Sequence, residues 1–169
     1  SKQDEFASVR EIIYKKYLKQ FQEAFMQTPN VSRKLVSIVI LTWNALDYTK
    51  KCVHSIQYHP GYPHEIIFVD NASTDGTVEY LRNLVEEHSN YKLIENKENR
   101  GFAAGNNQGV AVASGDYVLL LNNDVLVSDG WLESLVESLE KDEKIGMVGP
   151  ITNSISGRQM VSSIPYTDD

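Results

Sequence analysis

Val36-Ser37-Ile38-Val39-Ile40-Leu41-Thr42-Trp43-Asn44 is the stretch whose reading decides the fold. Residues 36–41 form a short, largely apolar run rich in β-branched side chains. That length and content fit a strand buried on both faces rather than a helix. Thr42-Trp43-Asn44 then ends the run with polar groups. Outward from it, short apolar runs alternate with helical periods. The pattern predicts a helix over residues 46–58, a turn at Pro60-Gly61-Tyr62-Pro63 and a strand over 65–69. A helix follows near 77–87, with Val78, Leu81, Leu84 and Val85 on one face. Next come a strand at 91–95, a helix within 102–113, a strand at 116–121, a helix over 131–140 and a last strand at 145–148. Strand and helix alternating at this pace predict an α/β domain over residues 35–169 with a mostly parallel sheet flanked by helices.

Residues 1–34 read differently. Phe6, Val9, Ile13, Tyr17, Phe21 and Phe25 recur at three and four among Lys, Gln and Glu, which predicts an amphipathic N-terminal helix and a short polar linker. Residues 5–27 are the expected contact with neighbouring domains of a longer chain or with a second copy.

The chain has 169 residues, and 16 Lys and Arg against 23 Asp and Glu give a net charge of −7. At 41% apolar and 23% charged the composition is that of an ordinary globular domain. The acidic balance offers no basic field for a phosphate backbone, so nucleic acid is not an expected partner. One cysteine, Cys52, makes no internal disulfide, and no Cys/His cluster has metal-ligand spacing. The longest apolar runs, at 36–41 and 117–121, fall far short of the roughly 18–20 residues of a membrane span. The expected setting is cytoplasmic, at most peripheral to the inner face of a membrane.

In open α/β sheets, ligands bind at the carboxyl ends of the strands. The segments there are Thr42-Trp43-Asn44, then Asp70-Asn71-Ala72-Ser73-Thr74-Asp75-Gly76, then residues 96–105, then Asn122-Asn123-Asp124. All are polar, Gly-rich or acidic. Asp70 can accept a hydrogen bond from a base ring N–H, or it can hold its own loop as an Asx turn. Asp75-Gly76-Thr77 reads as capping chemistry. Asn99-Arg100-Gly101-Phe102-Ala103-Ala104-Gly105-Asn106-Asn107 has small residues where backbone must approach something closely, and could aim N–H groups at a phosphate. Neither common nucleotide fingerprint is present. Arg100 can pair with a diphosphate or lie solvated on the surface. Asn122-Asn123-Asp124 delivers three polar groups from an apolar strand; it suits a cation shared with a diphosphate, or a turn between two strands.

These segments, in this order and spacing over residues 36–150, resemble family 2 glycosyltransferases. The resemblance implies a GT-A fold, a nucleotide-diphosphate-sugar donor, a divalent metal and inversion at the anomeric carbon. It places Thr42 and Asn44 along the nucleotide and makes Asp70 the base-reading carboxylate. Arg100, Gly101 and Asn106 fall in the loop that lines the donor. Asn122-Asn123-Asp124 stands at the family's Asp-X-Asp motif, with Asp124 on Mn²⁺ or Mg²⁺ and Asn122 on the ribose in place of an aspartate. Bacterial surface-polysaccharide transferases with UDP- or dTDP-sugar donors are the nearest pattern, and saccharide, lipid-linked and protein acceptors all remain open.

Family members usually carry the acceptor site and catalytic base after the metal motif. The expectation is therefore a chain truncated on its C-terminal acceptor side, with the base beyond residue 169 and the portion inactive by itself. Two rivals stand beside this reading. One is a nucleotidyltransferase, which usually has a Gly-rich loop and a basic residue after the first strand, and Thr42-Trp43-Asn44 offers neither. The other is a non-catalytic docking module of GT-A-like fold.

Overall fold

The computed structural model describes residues 33–150, so of the N-terminal helix and linker expected over residues 1–34 the helix lies outside the described residues. Four strands and four helices alternate: β1 (Val36–Thr42), α1 (Leu46–Tyr58), β2 (His64–Asp70), α2 (Thr77–Glu87), β3 (Tyr91–Glu95), α3 (Phe102–Ala111), β4 (Tyr117–Asn122) and α4 (Trp131–Glu140). The sheet order is β3-β2-β1-β4, and every pairing is parallel. The two central strands, β1 and β2, are buried along almost their whole length, as near-continuous apolar runs in parallel sheets are.

Alternation within the strands sorts the side chains into two layers. Ile38, Ile40, Ile66 and Phe68 meet Val53 and Ile56 of α1, Leu81 of α2, and Leu132 and Val136 of α4. Val39, Ile67 and Val69 pack on the opposite face. There α3 lies so close that a Cβ on Gly105 would land on Leu41, and one on Gly109 would land on Val39. The small residues of this segment thus serve a close approach, and what they approach is the sheet.

Residues 145–148 form no strand, contrary to the sequence expectation. The run contains Gly146, Met147 is 88% exposed, and Ile145 N–H closes a turn onto the Asp142 carbonyl instead. A four-residue run has too few ladder bonds to hold extended without a neighbouring strand. Helix α3 also ends at Ala111, inside the expected range. No helix among the described residues is long and apolar enough to cross a membrane.

Candidate functional site

The chain steps outward from β1 to β2 to β3, then returns to place β4 on the other side of β1. The crevice between the ends of β1 and β4 is therefore the switch point where such sheets take ligands. Register brings Thr42 beside Asp70, Asp70 beside Glu95, and Leu41 beside Asn122 at this one edge. Backbone strain gathers here too. Asn44, Ala45 and Ala72 have φ of 59°, 62° and 62°, and they are the only non-glycine residues with positive φ among those described. Asn tolerates that region, whereas alanine pays about 1–2 kcal/mol to enter it.

Hydrogen bonds across the loops hold these conformations. Asp70 is fully buried, and its carboxylate accepts from Thr42 Oγ1 at 2.9 Å, from Ser73 N–H at 2.8 Å and from the Ser73 hydroxyl. These bonds hold the loop after β2 to the carboxylate through its third residue, and Asp70 is 0% exposed. Asn44 ties the first loop to the second: its N–H donates to Ser73 Oγ at 2.7 Å, and its Oδ1 accepts from Thr74 N–H at 2.8 Å. Asp75 caps two helices at once, accepting from Leu46 N–H at 2.9 Å and Thr77 N–H at 3.1 Å. Burial opposes ionisation of Asp75, but the Thr77 hydroxyl and these N–H donors win and hold its carboxyl below the ordinary value.

A chain of amides sets the third loop. Asn96 Nδ2 donates to Asn71 Oδ1 and to Gln108 Oε1, both at 2.9 Å, and Gln108 Nε2 returns a bond to Asn96 Oδ1 at 2.9 Å. Asn71, buried at the end of β2, donates to Asn99 Oδ1 at 3.2 Å and to the Gly101 carbonyl at 3.3 Å. Gly101 has φ 79°, a value that favours glycine, and precedes the first turn of α3. Arg100 beside it is exposed. Asn106 is buried, and its amide donates one turn back to the Phe102 carbonyl at 2.9 Å.

The fourth segment leaves β4 as a turn. Asn122 and Asp124 are exposed, whereas Asn123 turns back and donates to Thr49 Oγ1 of α1 at 3.0 Å. The buried thiol of Cys52 donates to the Asn122 carbonyl at 3.6 Å. Burial pushes that thiol up to about 11, with the nearby Asp124 carboxylate adding to the effect, so Cys52 stays protonated. No group of three or more His, Cys, Asp or Glu residues that could cage a metal exists among the described residues. Asp124 is instead a single exposed carboxylate, a hard oxygen donor. That fits a Mg²⁺- or Mn²⁺-type ion completing its shell from a substrate diphosphate and water.

Residues 37–161 match the family described as Glycosyl transferase family 2. The chain belongs to this family. An uncharacterized glycosyltransferase of Haemophilus influenzae is 32% identical over 115 residues, covering 68% of this chain and 36% of that protein. The putative teichuronic acid biosynthesis glycosyltransferase TuaG of Bacillus subtilis is 32% identical over 132 residues, covering 77% and 49%. The mannosyltransferase PcManGT from Pyrobaculum calidifontis, solved with GDP-Man and Mn²⁺, superposes with a TM-score of 0.60 at 26% identity, covering 74% of this chain and 40% of that one. The Staphylococcus aureus TarS 1-349 structure with UDP-GlcNAc shares the fold with a TM-score of 0.56 at 22% identity, covering 63% and 31%. This family 2 glycosyltransferase chain thus has the GT-A fold and spans less than half the length of these relatives.

Of the residues expected from sequence, Thr42, Asn44, Asp70, Asn122, Asn123 and Asp124 gather at the ends of β1, β2 and β4. Arg100, Gly101 and Asn106 sit at and just inside the start of α3. Three further residues at this edge were not among them. Ser73 locks Asp70 and Asn44 together, and its place in a Ser-Thr-Asp-Gly turn was the available signal. Trp43 and Phe102 stand 60% and 64% exposed beside the polar loops, an unusual place for large apolar rings.

Proposed function

We propose that residues 35–169 form the donor-binding portion of a glycosyltransferase that moves a sugar from a nucleoside-diphosphate sugar to an acceptor hydroxyl, with inversion and metal assistance, in polysaccharide or glycoconjugate synthesis. The observation carrying this reading is the gathering of Thr42, Asn44 and the exposed Asn122–Asp124 turn at the switch point between β1 and β4. The Mn²⁺ and GDP-Man held by PcManGT support the same kind of occupant here.

In this reading Thr42 and Asn44 line the nucleoside, and Trp43 offers an exposed ring face to the base. Asp70 acts on the base through the Ser73 loop it fixes. Arg100, with N–H groups of the first turn of α3, faces the diphosphate. Asn106 supports that turn from within the helix. Asn122 orients the ribose, Asn123 struts the turn, and Asp124 holds the ion. A bound Mn²⁺ or Mg²⁺ supplies positive charge to the departing diphosphate. The acceptor hydroxyl attacks the anomeric carbon from the opposite face as the bond to the phosphate oxygen breaks. No described residue is assigned as the base that takes its proton.

Calorimetric titration of the chain with UDP, dTDP and GDP, each with Mn²⁺ or Mg²⁺ and again with chelator, tests this. Saturable binding of one nucleotide that disappears on chelation is expected, with UDP or dTDP as the favoured base. Silence from all three with a folded chain defeats the reading.

A further inference from the structure

The turn that carries Asp124 has little architecture of its own. Between the end of β4 and the start of α4, the backbone bonds to itself only through Val125 N–H to the Asn122 carbonyl and Trp131 N–H to the Ser128 carbonyl, both at 3.4 Å. Yet three side chains of α1 grip it. Thr49, Cys52 and Ser55 are spaced by three, which puts them in one row on the helix. Thr49 Oγ1 accepts from Asn123 Nδ2 at 3.0 Å, Cys52 Sγ donates to the Asn122 carbonyl at 3.6 Å, and Ser55 Oγ accepts from Val127 N–H at 3.1 Å.

Both hydroxyl protons are already spent on the helix. Thr49 Oγ1 donates to the Ala45 carbonyl at 3.3 Å, and Ser55 Oγ donates to the Cys52 carbonyl at 2.7 Å. With its proton fixed, each oxygen keeps its lone pairs aimed outward, so each is an acceptor of set direction. The anchors fall on both sides of Asp124, with Asn122 and Asn123 before it and Val127 after it. Residues 124–126 are strung between them as an arch, with Asp124 and Leu126 exposed.

We propose that Thr49, Cys52 and Ser55 are positioning residues for metal-assisted donor binding, setting the height and direction of the Asp124 carboxylate through the 122–127 turn. The assignment rests on the donor-site reading above. It explains why polar and small side chains occupy the inner face of a helix that otherwise buries Val53 and Ile56. A carboxylate that must meet both an ion and a diphosphate gains from a fixed approach, because ordering it is not then charged to binding.

The test compares the parent chain with Thr49→Val/Ser55→Ala, Thr49→Ser and Asp124→Ala. The same titrations with UDP, dTDP and GDP are run with Mn²⁺ and with chelator, alongside circular dichroism and thermal melting. The double variant is expected to stay folded and to lose at least tenfold in the Mn²⁺-dependent part of nucleotide affinity. Thr49→Ser, which keeps the acceptor oxygen, should stay within about twofold of the parent. A double variant that matches the parent while Asp124→Ala loses the Mn²⁺-dependent part overturns the positioning role and leaves the donor site standing. A folded parent that binds none of the three nucleotides overturns both. If the double variant does not fold, Thr49→Val and Ser55→Ala carry the same comparison singly.

Discussion

Two carboxylates show how differently the same group is used at opposite ends of the sheet. Asp124 is exposed beside Asn122 at the carboxyl end of β4. Asp124→Ala is expected to abolish metal-dependent nucleotide binding in calorimetry, and Asn122→Ala to weaken it only modestly. Equal affinities in Asp124→Ala and the parent contradict the assignment. Glu65, at the start of β2, is buried and salt-bridged to Lys92 at 2.7 Å. It also accepts from Ser37 Oγ at 2.6 Å and from Ser114 N–H at 2.7 Å, closing the α3–β4 connection. Burial by itself would raise this carboxyl, but Lys92, Ser37 and Ser114 overcome it and hold it at about 2, against an ordinary 4.5. A lowered folded value means stabilisation that is complete above the unfolded value and disappears as pH falls towards the folded one. Between about pH 4.5 and 2 the parent should therefore lose about 3 kcal/mol that Glu65→Gln does not lose. Denaturant melts at stepped pH check this, and parallel curves for the two proteins contradict it.

At the scale of elements, two contacts decide how helices sit. Asp75 caps both α1 and α2 across the loop that joins β2 to α2. Asp75→Ala should cost about 1–3 kcal/mol in denaturant unfolding, more than an ordinary single cap. The two glycines of α3 differ in their neighbours. An alanine methyl at Gly105 meets the tip of Leu41, a flexible side chain that can swing aside. At Gly109 it meets the methyls of Val39 and Val69, which are fully buried and stiff at χ1. Alanine gains about 1 kcal/mol of helix propensity over glycine at either position. Gly105→Ala is therefore expected to be close to neutral, and Gly109→Ala to be net destabilising by about 1–2 kcal/mol. Equal melting temperatures for the two variants contradict this ranking.

For the whole molecule, the fold puts one set of loops at the switch point and leaves other surface unused by the donor-site reading. A groove of about 700 Å³ lined by Lys50, His54, Tyr58, Tyr80 and Leu126 runs along α1 and reaches the donor-site reading only through Ser55 and Val127, at the far end of the turn that carries Asp124. If the donor edge is the binding site, nucleoside diphosphate with Mn²⁺ binds only the folded chain and stabilises it by mass action. At a hundred times its dissociation constant, the nucleotide should raise the melting temperature by about 5–10 °C. Chelator should remove that shift. An identical melting temperature with and without nucleotide at such concentrations is inconsistent with a site on the native state.

The order of strands and helices was legible in the chain because apolar periodicity is a property of near neighbours, and the runs at 36–41, 65–69 and 117–121 are each long enough to show it. The four polar segments at strand ends were legible for the same reason, and they point to the donor edge without any contact being known. The run at 145–148 had the composition of a strand, yet among the described residues it joins no ladder, and only the tertiary structure decides that. The chain alone likewise left Asp70 open between reading a base and holding its loop. Burial against Thr42 and Ser73 directs its carboxylate inward. Asn123 stood in the chain between the residue expected on the ribose and the one expected on the ion, and its amide meets Thr49 of α1, a residue 74 positions away in sequence. Which polar groups are free for a ligand depends on partners that far apart, and the sheet order alone brings those partners together.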